Sequence, residues 1–173
     1  MTDVHAGRIV VIGVGNEYRH DDGVAAAVLA ELSAGGLAAD RLALCDGEPT
    51  RLMELWEGAD LAVVVDAVRT GPGEPGRIHL LAADSDHVLA DPPADEGRAG
   101  GTHSLGLGHG VALAAVLDRL PRELRIVAVE GADFSVGEGL SRAVAEAVPR
   151  AAAEVRRAVD EHRPEAGRGA CAF

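Results

Sequence analysis

The sequence has few aromatic side chains, 2% Phe, Trp and Tyr together, so its interior has to be built from Ala, Val, Leu and Ile with little ring stacking. Cysteine is scarce as well. Cys45 and Cys171 lie far apart and make no zinc-ligand spacing, and a reduced cytoplasm is the simplest compartment for such a chain. No apolar run reaches about 18 residues, which excludes a transmembrane helix. The opening residues, MTDVHAGRIVVIGVGN, carry an Asp ahead of their apolar stretch and lack the pattern of a secretory leader. Basic charge is in deficit. Sixteen Lys and Arg against 28 Asp and Glu give a formal net charge of −12, which argues against nucleic acid or an anionic membrane as the main partner.

What is present is a 173-residue chain with 47% apolar residues, enough for one domain with a real core. Arg8 to Val14 reads as a buried strand closed by Gly15, and Asp22 to Leu32 as a helix with Asp21 or Asp22 near its N-cap. A second short strand spans Arg41 to Cys45, and EPTRLMELWEG forms a helix with Gly58 after its end. The clearest strand is Leu61 to Val65, ending in Asp66. The stretch AVRTGPGEPG is a turn-rich loop with no room for a helix, so the strand Arg77 to Leu81 should run antiparallel to the strand before it. Asp91 to Gly101 reads as a mobile loop, His103 to Leu120 as a helix, and Leu124 to Val129 as the last strand. A long helix follows from Leu140 to His162, with Pro149 expected to kink it or start a new turn. Alternating strands and helices imply a three-layer, doubly wound α/β fold. Its sheet should have five strands, mostly parallel, with one antiparallel. Residues 1–162 should form a single domain and 163–173 a flexible tail.

In such sheets ligands bind beyond the carboxyl ends of the strands, near the point where strand order reverses. Asp22 lies past the first strand, Asp66 closes the third, and His103 opens a helix. Each has a plain structural reading: helix cap, loop-capping Asp, surface histidine. Two aspartates in a row, however, leave one to spare after capping. Together, two carboxylates and an imidazole form an O,O,N set suited to a divalent metal with open coordination positions. Asp46, ending the second strand beside Gly47, either lines the same crevice or is a turn residue. His20 should face solvent, and His79, His87 and His109 have no ligand partners at helical or strand spacing. Cys45 is most simply a buried small residue rather than a nucleophile, and Ser104 has no nucleophile elbow around it. Nucleotide binding at the Gly13–Gly15 turn fits poorly, because the loop is acidic and lacks a P-loop Lys.

The segments GVGNEYRHDDGV, DGEPTRL, VVVDAVRTGPGEPG, THSLGLGHGVALA and VEGADFSVGEGLSRAVAEAVP, in this order, resemble the [NiFe]-hydrogenase maturation endopeptidases over nearly the whole chain. The chain departs from that pattern at EYRH, at Ala25 and at Glu48. The resemblance implies that Asp22, Asp66 and His103 bind nickel carried by the substrate, with other divalent metals able to substitute. It also implies an aspartyl-protease-like, cytoplasmic enzyme that trims the C-terminus of the hydrogenase large-subunit precursor and works as a monomer. Asp46 and Gly47 would contact that substrate. With no Ser or Cys nucleophile beside a base, metal-assisted attack by water is the expected chemistry, with nickel as a pure recognition tag the variant. The rival reading is a non-catalytic nickel-binding chaperone or checkpoint protein of the same fold.

Overall fold

A computed structural model describes residues 7–37, 39–84 and 102–163, with the course of the backbone but not the side chains at 84 and 102–106. The expected loop at 91–101 and His87 lie outside the described residues. So does the tail, apart from Arg163. The elements are β1 (Ile9–Val14), α1 (Val24–Ala34), β2 (Arg41–Cys45), α2 (Pro49–Trp56), β3 (Leu61–Val68), β4 (Ile78–Asp84), α3 (Thr102–Val116), β5 (Glu123–Glu130) and α4 (Arg142–His162). A short 3-10 turn, His20–Gly23, leads into α1.

The five strands are ordered β2-β1-β3-β5-β4. β1 pairs in parallel with β2 and β3, β3 in parallel with β5, and β4 antiparallel with β5. The mixed five-stranded α/β sheet is the one expected. β4 also has the expected direction, but its neighbour is β5 rather than the preceding β3. Its connection from β3 passes over the end of β5: the Gly76 N–H donates to the Glu130 carbonyl, and the Glu130 N–H to the Arg77 carbonyl.

Side chains alternate across the strands and bury two cores. Ile9, Val11, Leu61, Val63, Val65, Val127 and Val129 pack against α1 and α4. Val10, Ile12, Ala62, Val64, Leu124, Ile126 and Ala128 pack against α2 and α3. α4 presents Ala147, Ala151, Ala152 and Ala158, small residues that let the helix lie close to its neighbours, and it runs through Pro149 without a break in the helix. Glu48 caps α2, accepting from the N–H groups of Thr50 and Arg51 at 3.0 and 2.8 Å, with Pro49 in the first turn.

Trp56 is the one large aromatic ring in this core. It is fully buried, and its Nε1 donates to the Arg119 carbonyl at 2.9 Å. Trp56→Ala is expected to cost about 3–5 kcal/mol of unfolding free energy. Urea unfolding followed by far-ultraviolet circular dichroism measures this, since the variant loses the only tryptophan. A loss under about 1 kcal/mol would contradict the packing described.

Candidate active site

The strand order reverses at β1: the connection to β2 leaves on one side and β3 lies on the other. A crevice therefore opens beyond the carboxyl ends of β1 and β3. The chain leaves β1 at Gly15, whose φ of +146° favours glycine and where a Cβ would collide with the Asp22 carbonyl. The Asn16 N–H donates to Asp22 Oδ2 at 2.8 Å, and the 3-10 turn carries Asp22 back beneath the loop. Residues 15–22 thus form a closed turn that fixes one carboxylate at the end of β1.

Asp66 approaches from β3. It is buried, 1% exposed, and it sits within the strand rather than at its end, because pairing with β5 continues to Val68 and Glu130. The expectation that Asp66 closes the strand, and its reading as a loop-capping residue, are thereby corrected. Burial pushes the Asp66 carboxyl well above the usual range. The negative charge of Asp22 pushes it further, and a hydrogen bond from the Ala67 backbone only partly offsets both. Asp66 Oδ1 has no hydrogen-bond partner among the described residues. A buried carboxylate whose ionisation is opposed by a second buried carboxylate is a poor way to stabilise a fold, and such pairs mark functional sites.

The expected N-cap role of Asp21 or Asp22 is also corrected. Gly23 occupies the cap position of α1 with no side-chain cap. Asp21, fully buried, instead accepts from the N–H groups of Ala132, Asp133 and Ser141 at 2.8, 3.0 and 2.7 Å, and from Ser141 Oγ at 2.9 Å. Burial alone would raise its pKa, but these bonds together hold it below the usual value. Asp21 is therefore the clasp between the 15–23 turn and the loop after β5. His20 takes part in the same junction. Its Nδ1 lies 3.0 Å from the Gly139 carbonyl oxygen, so it is half-buried and docked rather than turned to solvent.

The other candidates separate cleanly. Asp46 is exposed, and its Oδ1 accepts from the Glu48 N–H at 3.1 Å, which is the turn reading of that residue. Gly47 is buried beside it with φ of +88°. Cys45 is half-buried, and burial raises its thiol pKa, with the charges of Asp46 and Asp66 adding to the effect, so it is not an activated nucleophile. His109 is exposed on α3. The side chains of His103 and Ser104 lie outside the described residues. Position 103 falls in the first turn of α3, one turn before Leu107, which is buried against α2 and the sheet. Among the described residues no three His, Cys, Asp or Glu side chains are grouped to hold a metal.

One buried charge had no place in the reading of the sequence. Glu130, 2% exposed, accepts from Thr70 Oγ1 at 2.7 Å, from His79 Nε2 at 2.6 Å and from the Glu74 N–H. Burial works against its ionisation, but these hydrogen bonds hold its pKa below the usual value. The signal was there: Leu124, Ile126, Ala128 and Glu130 share one face of β5 by alternation, so the glutamate continues a core-facing row.

The family model described as HycI, hydrogenase maturation protease, matches residues 27–158. The chain belongs to the hydrogenase maturation protease family. The match includes Asp66 and position 103 and begins after Asp22. Solved structures of maturation proteases share the fold. The endopeptidase HybD from E. coli superimposes with a TM-score of 0.68 at 21% identity, over 89% of this chain and 93% of that one. HycI from Thermococcus kodakarensis KOD1 gives 0.60 at 25% identity, over 91% and 95%. HybD from Thermococcus kodakarensis gives 0.65 at 20%, over 88% and 99%. No curated protein sequence matches significantly. As a member of a family of peptidases, the chain is an enzyme.

Two stability predictions follow from the buried acids of this maturation protease. In Asp66 the folded-state pKa is raised, so the folded protein keeps a proton that the unfolded chain has lost above about pH 3.9, and stability falls as pH rises through the folded value. Asp66→Asn should therefore melt at a higher temperature than wild type at pH 8, with the gain shrinking toward pH 5. A lower melting temperature at pH 8 would contradict the site as described. Asp21→Ala should act oppositely. It removes the acceptor shared by three backbone N–H groups of a part-buried junction and should cost about 1–3 kcal/mol in urea unfolding. A change within about 0.5 kcal/mol would refute the clasp.

Proposed function

We propose that this protein is an endopeptidase that removes the C-terminal extension of a [NiFe]-hydrogenase large-subunit precursor after nickel insertion, with the nickel arriving in the substrate. The observation that carries this reading is the buried Asp22–Asp66 pair at the switch-point crevice of a maturation protease chain. Two hard oxygen donors of like charge are relieved by a divalent cation, and Asp66 Oδ1 has no hydrogen-bond partner among the described residues to compete with one. The donor set therefore fits the metal. Asp22 and Asp66 would hold it through carboxylate oxygens and His103 through a ring nitrogen. Bound there, the ion supplies Lewis-acid polarisation of the scissile carbonyl.

The protein's own part is to fix these groups. Asn16 holds Asp22 by its N–H, and the β5 pairing holds Asp66 in strand geometry. Asp46 and Gly47 flank the crevice at the end of β2 and would contact the precursor chain. Cys45, with its raised pKa, takes no part in attack. No helix of the described residues is long and apolar enough to cross a membrane, and the net charge of −12 disfavours nucleic acid. A single-domain, cytoplasmic monomer completes the proposal.

Incubation of nickel-loaded and nickel-free precursor, followed by intact mass, tests the reading. Wild type should trim only the loaded form. Asp22→Asn, Asp66→Asn and His103→Ala should each lower the rate by about 100-fold or more, whereas Cys45→Ala should stay within about threefold of wild type. Equal trimming of both precursors would overturn the nickel requirement. Binding without trimming would make the protein a checkpoint rather than a protease. Loss of activity in folded Cys45→Ala would point to a cysteine nucleophile.

A further inference from the structure

Asp66 of β3 and His79 of β4 both pair with Ala128, from opposite sides of β5. Residues opposite one another in neighbouring strands share a face. Asp66, Ala128 and His79 therefore stand in one row on the face covered by α2 and α3. Two strand spacings put the Cα atoms of Asp66 and His79 about 10 Å apart, with only the Ala128 methyl between them in that row. Asp66 and Ala128 are buried in that row, and His79 is its partly exposed end.

The imidazole in this row is held. Glu130 sits one step further along the same face of β5 and is ionised and buried, so it only accepts hydrogen bonds. The His79 Nε2 at 2.6 Å must therefore be the protonated nitrogen. In the neutral ring this leaves Nδ1 with a lone pair, and Nδ1 has no hydrogen-bond partner among the described residues. The His79 side chain is 33% exposed, whereas that of Glu130 is 3% exposed. A buried carboxylate that fixes the tautomer of a partly exposed imidazole is the arrangement of a general base with its orienting acid.

We propose that His79, oriented by Glu130, is the proton acceptor for the water that attacks the scissile peptide; this rests on the endopeptidase reading above. The water oxygen bonds to the carbonyl carbon while one of its protons passes to His79 Nδ1, and Glu130 stabilises the resulting imidazolium through Nε2–H. Collapse of the tetrahedral adduct breaks the C–N bond as the Nδ1 proton moves to the departing nitrogen. One water is consumed, the neutral imidazole is restored, and the products are a carboxylate and an amine. His79 is the catalytic residue and Glu130 the positioning residue.

The test is steady-state cleavage of nickel-loaded precursor by His79→Ala and Glu130→Gln, with thermal unfolding measured alongside. His79→Ala should lower kcat about 10²–10⁴-fold with KM within about threefold, and added imidazole should restore at least about tenfold. Glu130→Gln should lower kcat in the same direction by less; if it fails to fold, His79→Ala with and without imidazole decides alone. Wild-type kcat in His79→Ala, or a loss accounted for by unfolding and untouched by imidazole, overturns the proposal and leaves the endopeptidase reading standing. If wild type cleaves no precursor in either nickel state, both fall together.

Discussion

The repulsion between Asp22 and Asp66 is the constraint around which this molecule is arranged. Neither carboxylate is where an isolated fold would put it. Both are buried, and the charge of Asp22 raises the cost of charging Asp66. Such a pair persists only if the surrounding structure over-determines it. The parallel pairings of β1 and β3 provide that rigidity from below. From above it comes from the closed 15–23 turn, with Gly15 at positive φ and the Asn16 N–H on Asp22. The stability given up at the site is recovered in two apolar cores of aliphatic side chains, one on each face of the sheet.

Asp21 and Asp22 show how neighbouring identical residues acquire opposite duties. Asp21 is saturated with donors from the loop after β5, and its charge stabilises the fold. Asp22 faces the crevice beside Asp66. The two carboxylates are adjacent in the chain, yet Asp21 turns to the loop after β5 and Asp22 to the 15–16 turn and Asp66. The same contrast recurs on the other side of Asp66, where Glu130 is saturated and ties the 69–77 turn, β4 and β5 together.

Much of this was legible beforehand. Continuous aliphatic runs such as LAVVV specify strands buried on both faces, and the Gly/Pro-rich AVRTGPGEPG excludes a crossover helix, which gives β4 its direction. Asp22 and Asp66 were legible as a pair because the carboxyl ends of parallel strands converge. What could not be read was register. Nothing local to Asp66 reveals that β3 continues two residues past it, since that depends on β5, nearly sixty residues later. The partner of β4 was hidden for the same reason. Asp21 escaped because its donors come from residues 132–141, and an acid's long-range partners leave no mark near it in the chain. His79 looked isolated because its partner is a glutamate at the end of a strand it meets only in the folded sheet.

The position of β4 bears on the order in which the protein can assemble. β4 has a single partner in the sheet, and that partner comes later in the chain. During synthesis β1, β2 and β3 can associate as soon as they emerge, because β2 and β3 both pair with β1, which is already made. β4 emerges next with its apolar Ile78, Leu80 and Leu81 and no strand to join, and it waits until β5 fills the gap between it and β3. The last strand made is thus the one that closes the sheet, and α4 then covers it. A growing chain would hold the Asp22–Asp66 crevice only in outline until that moment, so the half of the site that lies on β4 and β5 cannot exist before synthesis of the domain is nearly complete.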